Sequence, residues 1–213
     1  MKFILIIFTT IYLFAYQTTT IITTNSTKNA IIDKNIKKGL TGYVIHNKIM
    51  IAKVISLGNN KVKYLPLVKL KNEALATPNI IPKGGDEIIF NLYNKRGLII
   101  APNQNIYINI KKMNPNIKFI NSDIFATYFT TKPTKEDFIK FCNEFNIGII
   151  YFILDKKYIV DSNSFIILNE ENIKTAPYKQ PFFANYNKFT DSFFSSTPSN
   201  WIDYYKEMLK KAE

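Results

Sequence analysis

One cysteine and one histidine, Cys142 and His46, are the only residues here able to form a thiol–imidazole nucleophile pair. They also bound any zinc chemistry. A closed zinc site takes four ligands, so one His and one Cys would have to recruit two carboxylates. Phe138, Phe141, Cys142 and Phe145 fall at i, i+3, i+4 and i+7, one apolar face of a predicted helix. A cysteine on such a face behaves as a small hydrophobe rather than a nucleophile. Asp155 and Asp161 flank a predicted strand pair, where turn residues are expected, and nothing in their surroundings makes them the paired carboxylates of a hydrolase. No nucleophile elbow, phosphate loop or dinucleotide fingerprint is present, and only seven glycines are available to build one. The residue chemistry therefore leads to a non-enzyme with no cofactor, no metal and no small-molecule substrate.

Two further patterns have a chemical reading that the surrounding sequence does not support. Gly84-Gly85-Asp86-Glu87-Ile88 looks like the GGDEF motif of diguanylate cyclases. Pro78 and Pro82 interrupt the strand that should precede it, and no metal-binding Asp stands at suitable spacing. The simpler reading is a Gly-Gly turn followed by a strand starting at Asp-Glu. The mixture of aromatic residues (15%) with a formal net charge of +12 would suit single-stranded nucleic acid on a barrel. The aromatics, however, sit where core is expected and the N-terminus predicts export, so nucleic acid is not expected as a partner. The charge suits acidic proteins, anionic headgroups or cell-wall polymer. The lysines never run four together, and the Ile, Lys, Asn, Phe and Tyr bias matches AT-rich codons.

The elements that would position these residues divide the chain into four parts. Residues 1–15 read as a signal peptide: Met1-Lys2, an apolar Phe3–Ala15, then an abrupt Thr18-Thr19-Thr20 stop, with Ala15 the expected cleavage position. That stretch is short for a span of about 20 residues. Its removal takes Lys2 and leaves 12 − 1 = +11. Residues 16–103 read as a β-rich domain, a small antiparallel barrel or sandwich. Its strands are expected to start at Ile21-Ile22 and Ile31-Ile32 and to cover Thr41–His46, Lys48–Leu57 and Lys61–Val68. A tight hairpin over Pro82–Asn103 completes it, with strands Glu87–Tyr93 and Gly97–Ala101 about a turn at Asn94-Lys95-Arg96. Residues 104–172 read as a small α/β unit with helices over Ile106–Met113, Asp123–Phe129 and Thr134–Phe145, the last capped by Thr134 with Glu136 and Asp137 in its first turn. Ile149–Leu154 is a buried central strand, followed by strands over Tyr158–Asp161 and Phe165–Leu168. Residues 173–213 combine an irregular segment, its Phe182, Phe183, Phe193 and Phe194 laid over the surface, with an amphipathic helix capped at Ser199. The fold class is α+β.

Several stretches, in collinear order over about 40–170, resemble the N-terminal domain of the plasminogen-binding proteins of Helicobacter and Campylobacter relatives. They are Gly42–His46 (GYVIH), Pro82–Asn103 ending in LIIAPN, Ile120–Phe125 (INSDIF), Lys135–Tyr151 (KEDFIKFCNEFNIGIIY) and Tyr158–Asp161 (YIVD). The resemblance implies an exported protein of Gram-negative, epsilon-class bacteria without enzymatic activity. It also implies plasminogen kringles as a partner. Kringles bind a lysine ammonium held at a fixed distance from a carboxylate, which a C-terminal lysine supplies. Here the C-terminus is Lys210-Lys211-Ala212-Glu213, so the feature best suited to kringle binding is missing or weakened, and the remaining candidate is a generic internal mimic on the last helix, Lys206 or Lys210 with Asp203 or Glu207.

The residues expected to meet a partner are Trp201, Tyr204, Tyr205, Lys206, Met208, Lys210 and Lys211, on a helix read as a docking element rather than core. An alternative reading makes the chain a periplasmic scaffold component of the flagellar motor. Either way the expected location is the periplasm or cell surface, with peripheral contact to the envelope and proteins as partners.

Overall fold

The computed structural model describes residues 15–25, 28–65, 80–128, 132–185, 198 and 200–210. They fall into two compact units, Met1–Leu92 and Tyr93–Glu213.

The first unit is a closed antiparallel barrel. Its strands are β1 Gln17–Thr24, β2 Asn29–Ile32, β3 Thr41–His46, β4 Ile49–Gly58, β5 Lys61–Leu65 and β6 Glu87–Phe90, in the order β1-β2-β5-β4-β3-β6 with β6 returning to β1. Strand side chains alternate in direction, so Ile21, Ala30, Ile32, Val44, Val54, Val62, Ile88 and Phe90 fill the interior. Two tight turns set the registers. His46 pairs with Ile49 across Asn47-Lys48, and Gly58 with Lys61 across Asn59-Asn60. All four loop residues have positive φ, between 49° and 66°, the geometry of hairpin turns whose twist matches the strands. A Cβ on Gly42 would stand 2.8 Å from the Phe90 ring, so the close approach of β3 to β6 requires glycine there.

The second unit is a three-layer α/β arrangement. Its sheet runs β11-β10-β9-β7-β8, built from β7 Arg96–Ile100, β8 Lys118–Ile120, β9 Ile149–Ile153, β10 Lys157–Asp161 and β11 Ile167–Glu171. β7 is parallel to both β8 and β9, and the other pairs are antiparallel. The helices are α1 Gln104–Met113, α2 Ser122–Ala126, α3 Lys135–Glu144 and α4 Trp201–Lys210. Asn103 caps α1 by accepting from the Ile106 N–H at 3.0 Å. Thr134 and Asp137 form a reciprocal capping box on α3. Leu98, Ile100, Ile150 and Phe152 face a core shared with α2, α3 and α4. On the α1 side, the Tyr151 hydroxyl donates to Asn114 Oδ1 at 3.2 Å. Phe125 sits in an aromatic cluster, with ring centroids 4.7 Å from Phe138, 4.8 Å from Phe141 and 5.2 Å from Phe182. Such pairs add about 0.5–1.5 kcal/mol each beyond area burial.

The structure corrects three expectations. Glu87–Tyr93 and Gly97–Ala101 are not the arms of one hairpin. β6 pairs with β1 and β3 in the barrel, while β7 pairs with β8 and β9 in the other sheet. The physical reason lies in burial: β6 alternates, whereas Gly97–Ile100 is buried throughout, as a parallel strand covered on both faces must be. Phe182 is not a surface residue but part of the core, and Phe183 packs on Tyr107 at 5.4 Å; Phe193 and Phe194 lie outside the described residues. The last strand begins at Ile167, because Phe165, at φ 62°, is turned into the core.

The stretch that carries Phe182 closes one end of the sheet. The Tyr178 hydroxyl donates toward the carbonyls of Ile100 (2.9 Å) and Ile153 (2.8 Å), and the Phe183 N–H donates to the Ala101 carbonyl at 2.7 Å. Burial holds the Tyr178 phenol well above its ordinary range.

Candidate partner-binding face

α4 begins at Trp201, with Asn200 Oδ1 accepting from the Ile202 N–H at 2.9 Å; the expected cap, Ser199, lies outside the described residues. Trp201, Tyr205, Met208 and Leu209 return every third or fourth position, so they share one face. That face is not free. All four are buried in the second unit's core. Tyr205 is fully buried, its ring 5.4 Å from Phe152, and its hydroxyl donates to the Pro181 carbonyl at 2.8 Å. The expectation of a docking element whose aromatic and Met side chains await a partner is therefore corrected. An amphipathic helix buries its apolar face wherever apolar surface is nearest, and Phe138, Phe152 and Phe182 supply it here.

The polar face is what α4 presents. Lys206 Nζ lies 2.8 Å from Asp155 Oδ2, and the Tyr158 hydroxyl donates to the other oxygen of that carboxylate at 3.0 Å. Burial alone would raise the Asp155 carboxyl, but the hydrogen bonds from Lys206 and Tyr158 hold it below its usual range. Asp203 accepts from Asn200 Nδ2 at 2.7 Å. Glu207 and Lys210 are exposed, one helical turn apart. Lys211 lies outside the described residues.

Between this face and the start of α3 runs an open groove of about 400 Å³ lined by Thr134, Lys135, Glu136, Tyr204, Glu207 and Met208. The Tyr204 hydroxyl donates to the Pro133 carbonyl at 2.8 Å, and the Lys132 ammonium stands 5.7 Å above the Tyr204 ring. Burial lowers the Lys135 ammonium, with Glu136 opposing it. The groove thus offers carboxylates, ammonium groups and an aromatic edge together.

The other candidates are placed as follows. Cys142 is 1% exposed in the second unit's core, and burial, then the Asp161 charge, pushes its thiol far above the ordinary range, so it is held as the protonated, inert form. His46 belongs to the barrel, where Nδ1 lies 2.7 Å from Asp86 Oδ1. Asp86 also accepts from the Lys83 N–H at 2.8 Å, and Gly85 has φ 91°, so Gly84–Glu87 is the turn-then-strand element expected. Asp161 Oδ1 accepts from the Asn163 and Ser164 N–H groups, as a turn residue does. Sequence reasoning missed the His46–Asp86 pair. The two residues are forty positions apart, and only the adjacency of β3 and β6 brings them together. Among the described residues, no group of three or more His, Cys, Asp or Glu is placed to hold a metal, and no helix is long and apolar enough to cross a membrane.

The family profile described as plasminogen-binding protein pgbA N-terminal matches residues 17–209, nearly the whole of both units. The chain belongs to this PgbA N-terminal family. The curated plasminogen-binding protein PgbA of Helicobacter pylori strain J99 is 28% identical over 182 residues, 81% of this chain and 40% of that protein. PgbA of H. pylori strain 26695 gives the same identity and coverage. The chain therefore spans well under half the length of the curated PgbA relatives it matches. No solved structure matches it significantly. The family match places the barrel and the α/β unit together as the PgbA N-terminal module, α4 included up to Leu209.

Proposed function

We propose that this chain is an exported, non-enzymatic binding protein that acts through protein–protein contacts, with plasminogen as the partner. The observation that carries the reading is the family match over 17–209 to proteins whose name is plasminogen-binding. The polar face of α4 supports a binding role. Lys206 is engaged with Asp155, which leaves Lys210 with Glu207 as the exposed ammonium–carboxylate pair of that helix, and Lys211 follows it in sequence. Export is supported by the apolar Phe3–Ala15 and by the position of β1, which starts just beyond it at Gln17. The flagellar-scaffold reading gains nothing from these comparisons.

The test is plasminogen binding by surface plasmon resonance, with free lysine as competitor. Wild type should bind and be displaced by lysine. Lys210→Glu with Lys211→Glu should weaken binding by about thirty-fold, the loss of one hot spot of roughly 2 kcal/mol. Binding by wild type that is indifferent to this change would move the site off α4. Failure of wild type to bind at all would overturn plasminogen as partner.

A further inference from the structure

The lysines are scattered in sequence, but the second unit gathers one group of them. Residues 88–122 contain Lys95, Arg96, Lys111, Lys112 and Lys118 and not one carboxylate. β7 and β8 run parallel with Arg96 opposite Lys118, and the Lys118 N–H donates to the Lys95 carbonyl at 2.8 Å. α1 joins the end of β7 to the start of β8, so it runs back against both strands, and its last turn, carrying Lys111 and Lys112, comes down where the strands begin. A short link, with the Ile117 N–H bonded to the Asn114 carbonyl at 3.1 Å, holds that turn beside Lys118. Five cations thus share one end of the sheet. Lys95, Lys111, Lys112 and Lys118 are exposed, while Arg96 is half-buried with Nε donating to the Phe145 carbonyl at 3.0 Å. Met113, 64% exposed, stands at the end of α1 beside these lysines.

We propose that this end of the second unit, Lys95–Arg96, Lys111–Met113 and Lys118, is a docking face for an anionic lipid surface. The occupant is negatively charged: Lys111, Lys112 and Lys118 are exposed, and residues 88–122 contain no carboxylate. It must also accept an apolar side chain among them. A bilayer surface meets both demands: lysine stems lie in the interface with their ammonium groups at the phosphates, and the thioether enters the headgroup boundary. An acidic polypeptide would answer the charge but would leave Met113 with no use. The face is separate in sequence from the α4 residues proposed to meet plasminogen, so the two readings stand or fall apart.

The experiment is co-sedimentation of the full chain with vesicles of phosphatidylcholine alone and of phosphatidylcholine with phosphatidylglycerol. The apolar N-terminal stretch contributes to both samples, so the difference between them reads the basic face. Each neutralised lysine near an anionic surface should cost about five-fold in partitioning. Lys111→Gln, Lys112→Gln and Lys118→Gln together should therefore abolish most of the phosphatidylglycerol preference, roughly a hundred-fold, and the wild-type preference should fade with added salt. The control, Lys38→Gln, Lys61→Gln and Lys63→Gln, removes equal charge from the other unit and should leave the preference within about two-fold, since those residues are not part of the proposed face. Met113→Ser should lower vesicle binding several-fold yet leave binding of soluble polyglutamate unchanged. Matched melting curves confirm that the variants fold. Equal losses in both triple variants, no phosphatidylglycerol preference in wild type, or polyglutamate binding that exceeds vesicle binding and ignores Met113 would each overturn the proposal.

Discussion

Tyr205 decides whether α4 is part of the second unit's core. Replacing it with Phe keeps the ring beside Phe152 and Tyr178 but leaves the Pro181 carbonyl without its donor. Losing a buried hydrogen bond in this way costs about 1–2 kcal/mol. Replacing it with Ala removes the whole ring from a fully buried site and opens a cavity, at about 3–5 kcal/mol. For a unit the size of Tyr93–Glu213, one kcal/mol is worth roughly 3–5 °C. Tyr205→Phe should then lower the melting temperature by about 5 °C and Tyr205→Ala by about 10–20 °C. The chain's one tryptophan, Trp201, lies on the same buried face, so its fluorescence during thermal unfolding reports the second unit selectively. A Tyr205→Ala protein that melts with wild type, as a freely docking helix would allow, would refute the packing argument.

Two further outcomes follow from the geometry. Tyr64 and Tyr158 are both pushed up to about 12, each chiefly by burial and then by a neighbouring carboxylate, Asp86 and Asp155 respectively. Their unfolded values lie near 10, so the folded state keeps protons that the unfolded state releases. Stability is fully present below about pH 10 and falls as pH rises from there toward 12; melting temperature against pH should show the fall, and Tyr158→Phe should shallow it. Gly148→Ala should be worse tolerated than Gly42→Ala in denaturant titrations. Its Cβ would lie 2.5 Å from the Tyr93 carbonyl carbon and 2.6 Å from the Asn94 nitrogen, which are backbone, whereas at Gly42 the obstacles are the Phe90 and Ile88 side chains. We expect about 1–3 kcal/mol at Gly42 and at least the top of that range at Gly148.

Local chemistry made much of the fold legible. The barrel strands showed as alternation punctuated by Asn47 and by Gly58-Asn59-Asn60, and those residues do form the turns with positive φ. Thr134 and Asp137 announced the start of α3 through a pattern only four residues long. What stayed hidden depends on partners distant in sequence. Asn94-Lys95-Arg96 does turn the chain, with the Arg96 N–H donating to the Tyr93 carbonyl at 2.9 Å, yet the strands on either side leave for different sheets. Turn residues report direction, not pairing. The apolar face of α4 was plain from its spacing, but its cover is Phe152 in β9 and Phe182 in an irregular stretch. Periodicity says that a face must be covered and not by what. His46 and Asp86 likewise meet only because the barrel closes in one register.

The order β8-β7-β9 in a parallel sheet has a consequence for what this architecture can host. The chain leaves β7 toward one neighbour and comes back on the other side of it. Folds of this kind usually hold their small molecules in the cleft that opens between such strands, beyond their carboxyl ends. Ile100 and Ile153 are those ends, and the Tyr178 phenol already sits across both of their carbonyls. The chain itself occupies that position. A nucleotide or metabolite arriving at that cleft would have to evict a tyrosine, break its contacts with both strands and strip the Phe182 ring from the aromatic cluster. The seat that related architectures reserve for chemistry is here spent on cohesion.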